Sequence, residues 1–193
     1  MVSRSYLWAA TVAAVVLAIA AGDVVAMDPA LEKIQRDIEK RHQNVRHIDA
    51  DEFSSMNKDN VVVFDVRKEA EYNVSHLDGA IRVDPDIKPA DFITQHSDRL
   101  EGKTAVFYCS VGRRSSLLAS RVIDLVGSKH ARESYNLEGG LFHWRNEKRS
   151  LMSHGKTTTF IHPYNIYWGR LIKDKEAIRY RSAHPSSPTS AGK

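Results

Sequence analysis

The chain has a single cysteine, Cys109, at the head of the run Cys109-Ser110-Val111-Gly112-Arg113-Arg114-Ser115. The run lies between an apolar stretch of β-formers at residues 104–108 and a helical pattern that begins near Arg114. A thiol at the carboxyl end of a strand, on a loop that curls onto a helix start, meets inward-turned backbone N–H groups, a helix dipole and two guanidinium groups. All three favour thiolate over thiol, so the spacing points to a nucleophile at neutral pH. The same donors from Ser110 to Ser115 make a pocket for a small anion. Gly112 supplies the freedom to take positive φ that such a loop needs. Arg113 or Arg114 could bind the anion directly, or serve as a surface charge or a brace. The alternative for Cys109 is a small buried hydrophobe, as free cysteines commonly are.

The elements that must position this loop alternate along the chain. Asp28-Pro29 starts a helix over residues 28–42, with Leu31, Ile34 and Ile38 on one stripe. A short strand over residues 45–48 leads to Asp49, which caps a helix through Met56. The run Val61-Val62-Val63-Phe64 has no polar alternation and fits a parallel strand covered on both faces. A charged helix near 68–74, a short strand at 80–83 and a helix around 90–96 follow. After the strand at 104–108, the next helix buries Leu118, Val122, Leu125 and Val126 and ends at Gly127. Residues 134–137 form a last strand before Gly139-Gly140 and a helix through Asn146. Strand and helix in alternation imply an α/β domain with a parallel sheet.

Composition narrows the function classes. The 193 residues are 42% hydrophobic and 27% charged, enough to bury a core. A net charge of +4 and a pI near 9.2 would suit nucleic acid, but bases and acids are interleaved with no long basic run, so no nucleic-acid partner is expected. The nine histidines are scattered and no metal-ligand spacing occurs, so neither metal nor cofactor is expected. Asn73-Val74-Ser75 is a formal glycosylation sequon.

The ends differ in character from the middle. Arg4 precedes an apolar run over residues 6–22, which reads as a signal peptide or N-terminal anchor within 1–26. Either form exports the rest, to a periplasmic or other extracytoplasmic compartment, and only an uncleaved leader keeps it on a membrane. After Leu151 the alternation lapses. Residues 160–168 hold Phe160, Tyr164, Tyr167 and Trp168, read as an extension tucked against the domain or as a surface for a protein partner. Residues 182–193, rich in Ser and Pro, read as a disordered tail. The resulting division is leader 1–26, N-terminal helix 27–44, catalytic domain 45–150, and aromatic extension with tail 151–193.

The motif C-x-x-G-x-R-S, carried by Cys109, Gly112, Arg114 and Ser115, resembles the active-site loop of the rhodanese-like family of single-domain sulfurtransferases. Other marks of that family stand in order: Asp65-Val66-Arg67, Glu71-Tyr72, the 76–81 segment His-Leu-Asp-Gly-Ala-Ile, and Leu137-Glu138-Gly139-Gly140 with Trp144 beyond. Ser75 and Asp78 depart from the usual Gly before the His and Pro before the Gly of the 75–80 segment. The resemblance implies a central parallel sheet of about five strands flanked by helices. It further implies that Asp65, Arg67 and Glu71 form a polar brace holding the active loop; by position, His76 opens a turn and reads as ordering it by hydrogen bonding, and Trp144 reads as a core anchor for the last helix.

The implied activity moves sulfane sulfur from a small anionic donor such as thiosulfate to a thiol, sulfite or cyanide acceptor through a Cys109 persulfide, with no cofactor. A persulfide carrier or partner-binding module is the alternative. Phosphatase or arsenate reductase chemistry of the same fold fits less well, since it goes with C-x5-R and the spacing here is C-x4-R. No second cysteine exists to resolve a loaded sulfur inside the chain.

Overall fold

The computed structural model describes residues 26–129 and 131–182. The expected leader, apart from Ala26, and the expected tail, apart from Ser182, lie outside the described residues. Among the described residues no helix is long and apolar enough to cross a membrane.

Five strands, β1 (Arg46–Ile48), β2 (Val61–Asp65), β3 (Ile81–Arg82), β4 (Thr104–Tyr108) and β5 (Glu133–Leu137), form one parallel sheet in the order β1-β5-β4-β2-β3. Six helices accompany them: α1 (Pro29–Arg41), α2 (Ala50–Ser55), α3 (Glu69–Val74), α4 (Pro89–Leu100), α5 (Arg113–Lys129) and α6 (Gly140–Asn146). The side chains of Asp28 and Asp49 accept from Ala30 and Glu52 N–H, the capping bonds that start α1 and α2.

The period of two along each central strand divides the core. Val62, Phe64, Ala105 and Phe107 face α4 and α5 and pack with Phe92, Leu118, Val122 and Val126. Val63, Val106 and Tyr108 face the other side, with Leu31, Leu141 and Phe142. Phe64 sits with ring centroids 5.0 Å from Phe92 and 5.1 Å from Phe107. Each such fully buried ring stabilises the fold by roughly 1.5–3 kcal/mol. With apolar cover on both faces, the unalternating run of β2 follows directly.

Several boundaries differ from the expected ones. α4 runs to Leu100, four residues beyond its expected end, because Leu100 is itself buried. α5 continues through Gly127 to Lys129: a glycine inside a helix costs about 1 kcal/mol, less than the buried stripe of Leu118, Val122 and Val126 supplies. Leu125 is 43% exposed, since it falls at the edge of the stripe centred on Ala119 and Val122.

The lapse after Leu151 conceals a hairpin, β6 (Leu151–Ser153) and β7 (Lys156–Thr158). His154 and Gly155 both have positive φ, 48° and 75°, the backbone of the two-residue turn that matches strand twist. Beyond it, Ile161 bridges to Ile178, and Ile161 and Ile172 are fully buried in the same core as Tyr108 and Phe142. The extension is thus tucked against the domain through its aliphatic residues, while Ile166 and Tyr167 stay 76% and 68% exposed.

Candidate active site

Cys109 directly follows β4 at the middle of the sheet, and its loop passes into the first turn of α5. The loop backbone is held by two helices. Gly112 O accepts from Ser116 N–H at 3.0 Å within α5. Cys109 O and Ser110 O accept from Leu141 and Phe142 N–H, at 2.9 and 3.0 Å, in the first turn of α6. Gly112 takes φ +89°, as the loop curvature requires. Gly140, at φ +56°, lies so close to the loop that a Cβ there would stand 2.5 Å from Cys109 O and 2.9 Å from Gly112 N. That contact gives the Gly139-Gly140 pair a physical reason that spacing alone does not supply.

Cys109 is buried, and burial is the largest single influence on its thiol, acting against the charged form. The charge of Arg114, the backbone N–H and hydroxyl of Ser115 and the N–H of Val111 together outweigh it, and the thiol is held below its ordinary value. The loop therefore favours a thiolate while keeping water away from it.

The other residues of the loop divide the work. Arg114 donates to both carboxylate oxygens of Glu71 at 2.7 Å and to Ser110 Oγ at 3.0 Å. Ser110 Oγ donates in turn to Glu71 Oε1 at 3.0 Å, and Lys68 N–H donates to Glu71 Oε2 at 3.2 Å. Glu71 is buried, which by itself would raise its carboxyl, yet the bonds from Arg114 bring it below the usual carboxylate range. Most of the Arg114 donor capacity is thereby committed to the brace, and its influence on Cys109 is exerted by charge. Arg113 is exposed, with its guanidinium 6.0 Å from the Trp168 ring centroid.

The expected brace of Asp65, Arg67 and Glu71 separates into two. Asp65 and Arg67 form a wholly buried bidentate pair at 2.6 and 2.8 Å. Arg67 also donates to Ser75 O, and Tyr108 donates to Asp65 while accepting from Leu77 N–H. This pair fixes the turn at residues 75–77 against β4. Of the three residues, Glu71 is the one that bonds to loop side chains. His76 does order its turn, with Nδ1 3.0 Å from Tyr72 O and its ring stacked on Tyr72 at 3.9 Å. Trp144 is only half-buried. It closes the edge of the core against Phe53 and donates to Ser150 O. His143 lies by Glu147 at 3.4 Å and beneath Gly139.

Three features of the site escaped sequence reasoning. Ser115 Oγ lies 2.6 Å from Asn136 Oδ1, so its one proton serves either that amide or the Cys109 thiolate, and Asn136 Nδ2 lies 3.4 Å from His47 Nδ1, which Gln35 approaches at 3.1 Å. The available signal was an amide side chain, Asn136, in the otherwise strand-like 134–137 run. Second, Ile38 of α1 reaches the loop: its Cδ1 is 3.3 Å from where a Gly112 Cβ would stand. Third, Tyr164, held at φ +65°, has its ring centroid 4.9 Å from the Arg114 guanidinium carbon. Among the described residues no group of His, Cys, Asp and Glu could hold a metal ion.

A parallel α/β sheet with a thiolate-favouring cysteine loop at the end of its central strand defines the class. The rhodanese-like domain model matches residues 49–147, and the chain belongs to that family. It is similar to the tRNA uridine(34) hydroxylase of Oceanobacillus iheyensis, 41% identical over 68 residues, 33% of this chain and 20% of that protein. The tRNA uridine(34) hydroxylase of Bacillus velezensis is 28% identical over 114 residues, 56% of this chain and 34% of that protein. The chain thus spans a fifth to a third of the length of these relatives. The thiosulfate sulfurtransferase structure from Pseudomonas aeruginosa shares the fold with a TM-score of 0.50 at 16% identity, covering 66% of this chain and 23% of that one.

Proposed function

We propose that the protein is a sulfurtransferase in which Cys109 carries a sulfane sulfur between two substrates. The observation that carries the reading is the set of donors around one buried thiol: Ser115 and Val111 N–H, the Ser115 hydroxyl and the Arg114 charge. The Cys109 thiolate attacks the outer sulfur of a small anionic donor such as thiosulfate. A new S–S bond forms, the donor S–S bond breaks, and sulfite leaves with its electron pair. The loop donors favour the charge as it moves. A thiol, sulfite or cyanide acceptor then removes the sulfur, which makes the kinetics ping-pong.

Intact mass before and after thiosulfate tests the first half. The expected product is heavier by about 32 Da, one persulfide sulfur, and Cys109→Ser abolishes both the mass gain and turnover. Turnover retained by Cys109→Ser would overturn the proposal. Export belongs to the same proposal, supported by the apolar run at residues 6–22. Fractionation of the cells that make the protein checks it, and recovery with cytosolic markers would refute it.

A further inference from the structure

The family match ends at residue 147, yet the 160–168 segment beyond it returns to the Cys109 loop. Ile161 anchors that segment by complete burial and by its bridge to Ile178. Further on, the Tyr164 ring centroid lies 4.9 Å from the Arg114 guanidinium carbon, and that of Trp168 lies 6.0 Å from the Arg113 guanidinium carbon. Both arginines of the loop therefore have an aromatic neighbour from outside the matched region. Glu71, His162, Tyr164 and Asn165 line one cavity of about 340 Å³, so the segment runs directly alongside the Glu71–Arg114 pair.

The backbone at Tyr164 is held in a conformation that a tyrosine rarely takes. Its φ of +65° is in the left-handed region, where a bulky side chain is strained and glycine is not. Local bonds keep it there: Tyr164 N–H donates to His162 Nδ1 at 2.9 Å, and Asn165 N–H donates to Pro163 O at 2.8 Å. His162 is itself buried, and burial holds its imidazole below the ordinary range, so Nδ1 keeps a lone pair for that bond at neutral pH. Strain maintained by the surroundings commonly marks a functional position, and here it presents an aromatic ring to one guanidinium.

Among the influences that favour a thiolate at Cys109, the charge of Arg114 comes first. The charged groups that face Arg114 in turn are Glu71 from α3, Arg67 and Cys109 itself. Hydrogen bonds to Glu71 and Ser110 occupy the edge of the guanidinium, but the side chain keeps 24% exposure, and water reaching it weakens its field by raising the local dielectric. An aromatic face against the guanidinium displaces that water and adds its own attraction for the cation. We propose that Tyr164 is a positioning residue for the Cys109 nucleophile, its ring holding the Arg114 guanidinium against the loop and shielding it from solvent. The inference deepens the sulfurtransferase reading and rests on the role which that reading gives to Cys109. Tyr164 acts through Arg114, not on the sulfur.

Iodoacetamide alkylation of Cys109 against pH, with full-length protein, tests this without requiring sulfur transfer. Tyr164→Gly removes the ring and relieves the left-handed strain, so the variant is expected to keep its fold, checked by thermal unfolding. Tyr164→Asn, whose short side chain also tolerates positive φ, is the second ring-free variant. In both, the alkylation midpoint is expected to rise and the rate at pH 7 to fall by about twofold to fivefold, the worth of one cation–π contact at a partly exposed site. The plateau rate at high pH stays the same. Tyr164→Phe keeps the aromatic face and is expected to match the unmodified protein. An unmoved midpoint in the ring-free variants would overturn the proposal, and with a raised plateau it would make the ring a steric cover only. A Tyr164→Phe midpoint displaced as far as that of Tyr164→Gly would overturn it too, since the face would then not be what acts. Absence of a mass gain with thiosulfate in the unmodified protein overturns the sulfurtransferase reading itself. The alkylation midpoints are still read in that case, so the two failures are distinguishable.

Discussion

Arg114 and Glu71 meet in a two-pronged ion pair, 2.7 Å on each side, that ties the first turn of α5 to α3 across the mouth of the Cys109 loop. Glu71 is almost wholly buried and Arg114 keeps 24% of its side-chain exposure. Glu71→Ala leaves a guanidinium without its partner and is expected to cost about 3 kcal/mol, read by urea denaturation. The pair also sets an acid limit. The Glu71 carboxyl is lower in the folded chain than in the unfolded one, so its stabilisation is complete above the unfolded value, about pH 4.3. It is lost as pH falls through the folded value. Glu71→Gln should flatten the acid side of the stability curve, and an unchanged acid limb would contradict the role given to this pair.

The reactivity of Cys109 should follow its donors. Because its thiol is held below the ordinary value, the iodoacetamide alkylation rate against pH should have its midpoint below that of a free cysteine titrated alongside. Below that midpoint the rate falls as the thiolate is protonated. Ser115→Ala removes a hydroxyl donor and should slow alkylation at pH 7 by about threefold to tenfold. The measurement is made under native conditions, and a midpoint at or above that of a free thiol would count against the donor arrangement.

Asn136 stands between that hydroxyl and the interior of the fold. Its carboxamide meets the Ser115 hydroxyl and approaches His47. Asn136→Ala removes one partner from each group, leaving Ser115 Oγ with Gly112 O and His47 Nδ1 with Gln35, while His47 Nε2 already has no partner among the described residues. The expected loss is about 2 kcal/mol in thermal or urea unfolding, together with an altered pH profile for Cys109 alkylation. Loss of stability with an identical profile would show that Asn136 serves only the fold.

Gly140 and Gly155 offer a controlled contrast, since both have positive φ. At Gly155 a Cβ meets nothing within 4 Å, so Gly155→Ala should cost only the left-handed backbone penalty, about 1–2 kcal/mol. At Gly140 the same atom collides with backbone of the Cys109 loop. Gly140→Ala should therefore displace the loop and abolish persulfide loading even at temperatures where the protein remains folded. Circular dichroism and intact mass on the two variants decide the matter.

The local features that the sequence made legible are those governed by neighbours in the chain. The apolar runs that became β2 and β4, the capping Asp28 and Asp49, and the strand-to-helix step at Cys109 all depend on residues within a turn or two. The ordered family marks extended that reading to a five-stranded parallel sheet, as observed. The β6–β7 hairpin was missed because three-residue strands carry too few side chains to show a period. Leu125 was misplaced because helical spacing identifies a face but not where its neighbours stop.

Only the tertiary structure decided how the charges pair and what borders the loop. Arg114 and Glu71 are 43 positions apart in the chain, and no local pattern says that they meet. Asp65 and Arg67 are close in sequence and look like loop residues, yet burial turns their charges on one another and on the 75–77 turn. The sequence by itself determined that one unpaired thiol would end a buried strand and head a loop of donors. Folding brought α1 and the 160–168 segment, far away at either end of the chain, to opposite partners on that loop, Ile38 to Gly112 and Tyr164 to Arg114. Long-range packing of this kind is driven by burial of side chains such as Leu31 and Ile161 against the common core, and burial is a property of the whole fold rather than of any segment.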